Sequence, residues 1–184
     1  MEKLGPWTRR SVVLPYENPW IRVEHHDVVT PSGTDGIYGV VHFKNLAIGI
    51  IPIDENGDTW LVGQYRYPHR SYSWEIPEGG GRLGDDPRLS AERELAEEVG
   101  LRAGRWDLIL SMELSNSVTD EQCHIYLARD LEPCSRHPDE TEELALRRIP
   151  FDELHDGVLA GQYRDSLTVA GVLKLKALFD RGLL

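Results

Sequence analysis

The apolar positions of this chain fall into short runs separated by turn residues. Ile21 and Val23 alternate with polar neighbours, which predicts a strand from Trp20 to Val29. The turn Pro31-Ser-Gly-Thr-Asp-Gly36 leads into a second strand, Ile37 to Phe43. Leu46 to Ile53 is apolar throughout and rich in isoleucine, the pattern of a strand covered on both faces. Asn56-Gly57 signals a hairpin, with Thr59 to Tyr65 returning as the partner strand. Ser73 to Ile76 reads as a short strand running directly into a glycine loop, Gly79 to Gly81. Three more strands are expected at Trp106–Leu114, Gln122–Leu127 and Leu144–Ile149.

Three helices complete the pattern. The first can be capped by Asp85 or Asp86, has Pro87 in its first turn, and meets Gly100 at its C-terminal left-handed position. Leu89, Leu95, Ala96 and Val99 form its apolar side. Shorter helical stretches follow at Pro150–Leu154 and Thr168–Phe179. Strands mixed with helices in this order predict an α/β fold, a mixed β-sheet sandwiched between helices, with an N-terminal antiparallel β extension. The division expected is residues 1–45 as the extension and 46–184 as the main domain.

The first helix carries an electrostatic problem. Glu94, Glu97 and Glu98 stand three and four residues apart, so they share a face. Like charges at that spacing cost a helix roughly 0.2–0.5 kcal/mol per pair. A solvated acidic face is the ordinary explanation. Here, however, the acids are concentrated rather than alternated with lysine, and they follow glycines that let backbone approach a ligand closely. A divalent cation held by hard carboxylate oxygens would offset the repulsion.

Composition narrows the chemistry further. The formal net charge is −11, which argues against sequence-independent nucleic-acid binding, since that depends on cationic side chains meeting phosphates. A small phosphorylated substrate is still compatible if metal ions supply the local positive charge. No apolar stretch is long enough to cross a bilayer, and the N-terminus has no apolar signal region, so the expected location is cytoplasmic without membrane association. The two cysteines, Cys123 and Cys134, make no disulfide framework, and Cys123 alternates with Ile125 and Leu127 as a buried small hydrophobe. The seven histidines show no ligand spacing.

Gly79, Arg93, Glu94, Glu97, Glu98 and Gly100 stand at the spacing of the Nudix hydrolase signature, which the segment from Gly79 to Leu101 resembles, with Asp85 in place of the usual glutamate. Gly63-Gln-Tyr-Arg66-Tyr67, Trp74-Glu75-Ile-Pro77, Asp139-Glu-Thr-Glu-Glu143 and Asp165-Ser-Leu-Thr168 resemble the ADP-ribose and nucleoside-diphosphate-sugar pyrophosphatase branch. The resemblance implies that Glu94 and Glu98 hold Mg²⁺, with Mn²⁺ as an alternative. Glu97 would complete the set, and the Glu78 backbone carbonyl would add an oxygen. Arg93 would orient neighbouring carboxylates through a forked hydrogen-bond pair, and Asp85 would lend support. A general base is expected at Glu142 or Glu140, with Glu97 in contention.

For substrate contacts the candidates are Arg66, Glu75, Trp20 and Gly79. Arg66 could equally form a salt bridge with Glu75, and Trp20 could equally anchor the N-terminal sheet. The implied reaction splits a nucleoside diphosphate sugar into a nucleoside monophosphate and a sugar phosphate. ADP-ribose is the close alternative, and a non-hydrolytic nucleotide-binding sensor is the alternative of another class. Branch resemblance also implies a homodimer built through the strands before Leu46.

Overall fold

The computed structural model describes residues 1–137 and 143–184. Its contacts group into two units. One comprises Met1–Leu46 with Glu113–Gln122; the other comprises Ala47–Met112 with Cys123–Leu184.

The first unit is a four-stranded antiparallel sheet in the order β1 (Glu2–Leu4), β2 (Trp7–Glu17), β3 (Ile21–Val29), β4 (Asp35–Phe43). The β3–β4 pairing is unbroken from Ile21↔Phe43 to Val29↔Asp35, closed by the polar turn in which Gly33 takes a φ of 86°. Sequence reasoning missed β1 and β2, because charged residues and a proline interrupt their apolar positions and β2 shifts register twice along β3. The segment 113–122 is fastened to this sheet: the backbone N–H of Val41 donates to Val118 and the Tyr38 hydroxyl donates to the Ser117 carbonyl.

The second unit has two sheets. One runs in the order β8 (Glu78–Arg82), β5 (Asn45–Pro52), β10 (Gln122–Pro133), β9 (Leu101–Glu113), with β5 and β10 parallel. The other runs β11 (Ala145–Pro150), β6 (Asp58–Arg66), β7 (Ser71–Glu75), antiparallel throughout. Helix α1 (Pro87–Glu94) covers one face of the larger sheet, where Gly81 lies against Ser90 and Ile48. Helix α3 (Ser166–Asp180) covers the other, where Gly49 meets Leu167, and Gly171 meets Ile125 and Ile51. Helix α2 (Phe151–Leu159) joins β11 to α3. Ile48, Ile50, Ile51, Ile125, Leu127, Leu95 and Leu175 are fully buried between these layers, each contributing about 1.5–3 kcal/mol on burial.

Three expectations are corrected. The Asn56-Gly57 turn forms, with the Asp54 carboxylate accepting from the backbone of Asn56 and Asp58, but β6 is not the partner of β5. β5 instead pairs with β8 and β10 inside the larger sheet, whose two faces α1 and α3 cover, while β6 crosses to the smaller sheet. The glycine loop is itself an edge strand, β8: its missing side chains let α1 pack directly onto its backbone. Leu89 is 55% exposed, because α1 buries the face carrying Ala91, Glu94 and Leu95. Among the described residues no helix is long and apolar enough to cross a membrane.

Candidate active site

Local sequence dictates the start of the site. The Asp86 carboxylate accepts from the Arg88 N–H and opens α1, while Pro87 occupies the first turn, where no donor is needed. The helix then widens into a π-turn over Leu95–Val99 and stops at Gly100, whose φ of 75° is left-handed. Single π-turns in α-helices are rare and recur at functional sites. Here the widening falls on Glu97 and Glu98. Arg136 fixes the end of this turn: its Nε donates to the Glu98 carbonyl at 2.6 Å and its Nη2 to the Leu144 carbonyl at 3.2 Å.

Two of the helix acids are buried. Glu94 is 9% and Glu98 3% exposed. The Glu94 carboxylate lies over Gly79, so a Cβ at position 79 would sit 2.2 Å from its Cδ and Oε1. This close approach, rather than an unusual backbone angle, distinguishes Gly79: a side chain there would have to displace the Glu94 carboxylate. Glu98 Oε2 accepts the backbone N–H of Glu78 at 3.0 Å. Arg93 forks between the acids: Nη1 donates to Glu97 at 2.7 Å, and Nη2 donates to Glu94 at 2.7 Å and to the Gly80 carbonyl at 3.0 Å.

A second group converges from the smaller sheet and α3. Arg66 Nε donates to both carboxylate oxygens of Glu75, at 3.2 and 3.0 Å, and its Nη2 donates to Glu75 at 2.6 Å and to Glu78. Glu75 is 2% exposed. Asp165 caps α3 by accepting the Thr168 N–H at 2.7 Å, and the Thr168 hydroxyl accepts the N–H of Ile76 at 3.0 Å. That last bond locks the start of α3 to the Glu75–Glu78 segment. One carboxylate oxygen from each of Glu75, Glu78 and Asp165 lies within 4.8 Å of the other two.

The charge here is not balanced. Burial, followed by the nearby Asp165, pushes the Glu78 carboxyl well above its ordinary range; Glu75 and Glu98 add to the effect, and Arg66 opposes it. Among the described residues, Glu78 Oε2 is buried without a hydrogen-bond partner. An oxygen-only donor set with a surplus of carboxylate and one orphaned buried oxygen suits a hard divalent cation. The residues present therefore fit Mg²⁺ or Mn²⁺.

The chain matches the NUDIX domain over residues 43–168 and the nucleoside diphosphate sugar hydrolase N-terminal domain over residues 7–41. It belongs to the Nudix family. An ADP-ribose pyrophosphatase of Mycobacterium tuberculosis is 36% identical over 141 residues, covering 75% of this chain and 67% of the relative. A methanol dehydrogenase activator of Bacillus methanolicus is 30% identical over 158 residues, covering 85% of each. The crystal structure of an ADP compounds hydrolase aligns over 100% of both chains with a TM-score of 0.86 at 24% identity, a likeness of fold. The mixed sheet held between α1 and α3 is thus a Nudix fold, and the chain is a Nudix hydrolase.

The structure gathers Glu75, Glu78, Gly79, Arg93, Glu94, Glu97 and Glu98 in this unit, and Arg66 with them. Of the two readings of Arg66, the ion pair with Glu75 is formed. Asp85 is exposed in the turn ahead of the cap, where its N–H donates to the Arg82 carbonyl. Trp20 belongs to the N-terminal unit and is 65% exposed, so it is not a core anchor there. Glu140 and Glu142 lie outside the described residues. Sequence reasoning missed the Glu78 side chain and Asp165. The stretch Asp165-Ser-Leu-Thr168 was legible only as a family resemblance, and its meeting with Glu75 depends on how α3 packs.

Proposed function

We propose that this Nudix enzyme hydrolyses the diphosphate of an ADP-linked sugar, with ADP-ribose first among substrates, in a reaction that depends on Mg²⁺ or Mn²⁺. The observation that carries the reading is the buried pair Glu94 and Glu98 folded onto the Glu78–Gly79 backbone beside an orphaned carboxylate oxygen. The relatives that hydrolyse ADP-ribose support the choice of base, and the match of residues 7–41 to the nucleoside diphosphate sugar hydrolase N-terminal domain supports a sugar on the other phosphate.

Glu94, Glu98 and Glu97 would hold the cation, with the Glu78 carbonyl adding an oxygen. Bound there, the ion would neutralise the diphosphate and make phosphorus open to attack by water. The protein's own part is positional. Arg93 donates to both Glu94 and Glu97 and so fixes the direction of each carboxylate. Gly79 leaves room for Glu94 against bare backbone. Arg66, held by Glu75 and Glu78, offers its remaining guanidinium edge to a phosphate. Water adds to one phosphorus, the bridging P–O bond breaks, and a nucleoside monophosphate leaves with a sugar phosphate. The proton of that water goes to a carboxylate; Glu142, Glu140 and Glu97 are the bases to separate by glutamine substitution.

The test is incubation with Mg²⁺ or Mn²⁺ and ADP-ribose, ADP-glucose, UDP-glucose and GDP-mannose, with products weighed by mass spectrometry. AMP and ribose 5-phosphate are expected from ADP-ribose. Binding without turnover of any diphosphate would replace the enzyme reading with the nucleotide sensor. The enzyme is also proposed to be a homodimer formed through the N-terminal sheet, whose Val12, Val13, Leu14, Tyr16 and Ile37 are exposed. A monomeric mass by light scattering overturns this.

A further inference from the structure

Glu78 occupies a junction in the site. Its backbone N–H donates to Glu98 Oε2 at 3.0 Å, while its side chain accepts from Arg66 Nη2. Its neighbours leave it little freedom. Pro77 fixes the backbone before it and accepts the Ile50 N–H at 2.8 Å, and Gly79 after it is covered by Glu94. Arg66 meets Glu75 through Nε and Nη2, so its plane is set by one carboxylate and its reach by the other. A fork held at two points loses less rotamer freedom on meeting a phosphate than a free arginine would.

We infer that Glu78 is a positioning residue, a tether whose main chain holds the cation-binding Glu98 and whose side chain holds the phosphate-binding Arg66. The inference rests on the proposed role of Arg66. It assigns the Glu78 side chain a task separate from that of its carbonyl: the spacing between cation and guanidinium, hence the alignment of the diphosphate for attack. A one-ångström error in such spacing is costly to rate, whereas cation affinity stays with the helix acids.

The test is a double-mutant cycle of Glu78→Ala and Arg66→Ala, read in kcat, KM, Mn²⁺ affinity and the affinity for ADP in the presence of Mn²⁺. Glu78→Ala is expected to lower kcat about tenfold while leaving Mn²⁺ affinity within about twofold. Glu78→Gln, whose amide oxygen still accepts from Arg66, is expected to stay within about threefold of the native kcat. In the Arg66→Ala background the alanine at 78 should cost less than about twofold, since coupled residues are non-additive. An equal loss in both backgrounds overturns the tether, as does a tenfold loss of Mn²⁺ affinity. If Glu78→Ala fails to fold, Glu78→Asp carries the cycle, keeping the charge but stopping one methylene short. Should the native enzyme turn over no diphosphate, the functional proposal fails on its own. The cycle in ADP affinity then still tests the tether, and failure of the native protein to bind ADP overturns it.

Discussion

Two clusters of charge sit in the two units, and they are built on opposite accounts. In the N-terminal unit, His42 lies between two carboxylates, with Nδ1 2.6 Å from Asp120 and Nε2 3.3 Å from Glu24. His26 meets the same Glu24 oxygen at 2.8 Å, Arg22 meets the other at 3.1 Å, and the Phe43 N–H donates to Asp120 at 2.9 Å. The bond to His26 leads in holding the Glu24 carboxyl below its ordinary range, against the effect of burial. Burial would raise Asp120, but His42 and the Phe43 N–H outweigh it and the group is lowered. In the second unit, Arg66 pairs with Glu75 and Glu78, Arg93 pairs with Glu94 and Glu97, Asp165 lies close by, and Glu78 is driven upward. The first cluster pairs its carboxylates with His26, His42 and Arg22 and fastens segment 113–122 to the sheet. The second gathers carboxylates around two arginines, and it is there that the proposed cation would bind.

The sharpest way to break the comparison is to remove that cation or its holder. Chelation with EDTA should abolish turnover, and Glu98→Gln should lower kcat on the order of a hundredfold or more with the circular dichroism spectrum unchanged. A Glu98→Gln enzyme within tenfold of native would mean that the surplus charge serves something else. Next in size is Gly79→Ala. The added methyl would meet Glu94 at 2.2 Å. It should cost roughly 1–3 kcal/mol, about 2–10 °C in melting temperature, along with most of the activity. An unaltered melt would show that Glu94 swings clear at no cost.

A smaller effect has the opposite sign. Because the folded protein holds Glu78 above its unfolded pKa, it binds more protons than the unfolded chain between the two values. Stability therefore falls as pH rises through that window. In EDTA, Glu78→Gln should melt higher than the native protein by roughly 2–4 °C at pH 8, with the gain shrinking towards pH 4. A variant that melts lower at pH 8 would mean that the Arg66 contact outweighs the charge surplus.

Local chemistry made much of this readable. Asp86, Pro87 and Gly100 punctuate α1 through their own side chains and dihedral preferences, so the helix and its three glutamates were legible without a fold. The unbroken apolar run of β5 correctly announced cover on both faces. What failed was non-local. The turn at Asn56-Gly57 exists, yet partner choice for β6 is decided by β11, more than eighty residues away. The glycines of β8 read as a loop because a strand that packs bare backbone against a helix carries no side-chain alternation. Glu78 and Asp165 entered the site only through the Thr168–Ile76 bond and the reach of Arg66, neither of which leaves a periodic trace.

The smallest effect belongs to the compensated cluster. Asp120 is lowered when folded, so its contribution is fully present above the unfolded carboxylate pKa near 4 and is lost as pH falls through the lower folded value. Its side chain is 52% exposed, and solvent screening cuts the interaction to roughly 0.3–0.7 kcal/mol. Asp120→Asn should therefore lower the melting temperature by only about 1–2 °C at pH 6, and the gap to the native protein should close as pH approaches 3. The trend with pH is opposite to that expected for Glu78→Gln, whose gain grows as pH rises. Melts of both variants in EDTA from pH 3 to 8 therefore separate the two accounts of charge. If the Asp120→Asn gap were independent of pH, the Phe43 N–H and the neutral bond to His42 would be its whole contribution. The N-terminal cluster would then owe nothing to charge, and the contrast between the units would reduce to the surplus around Glu78 alone.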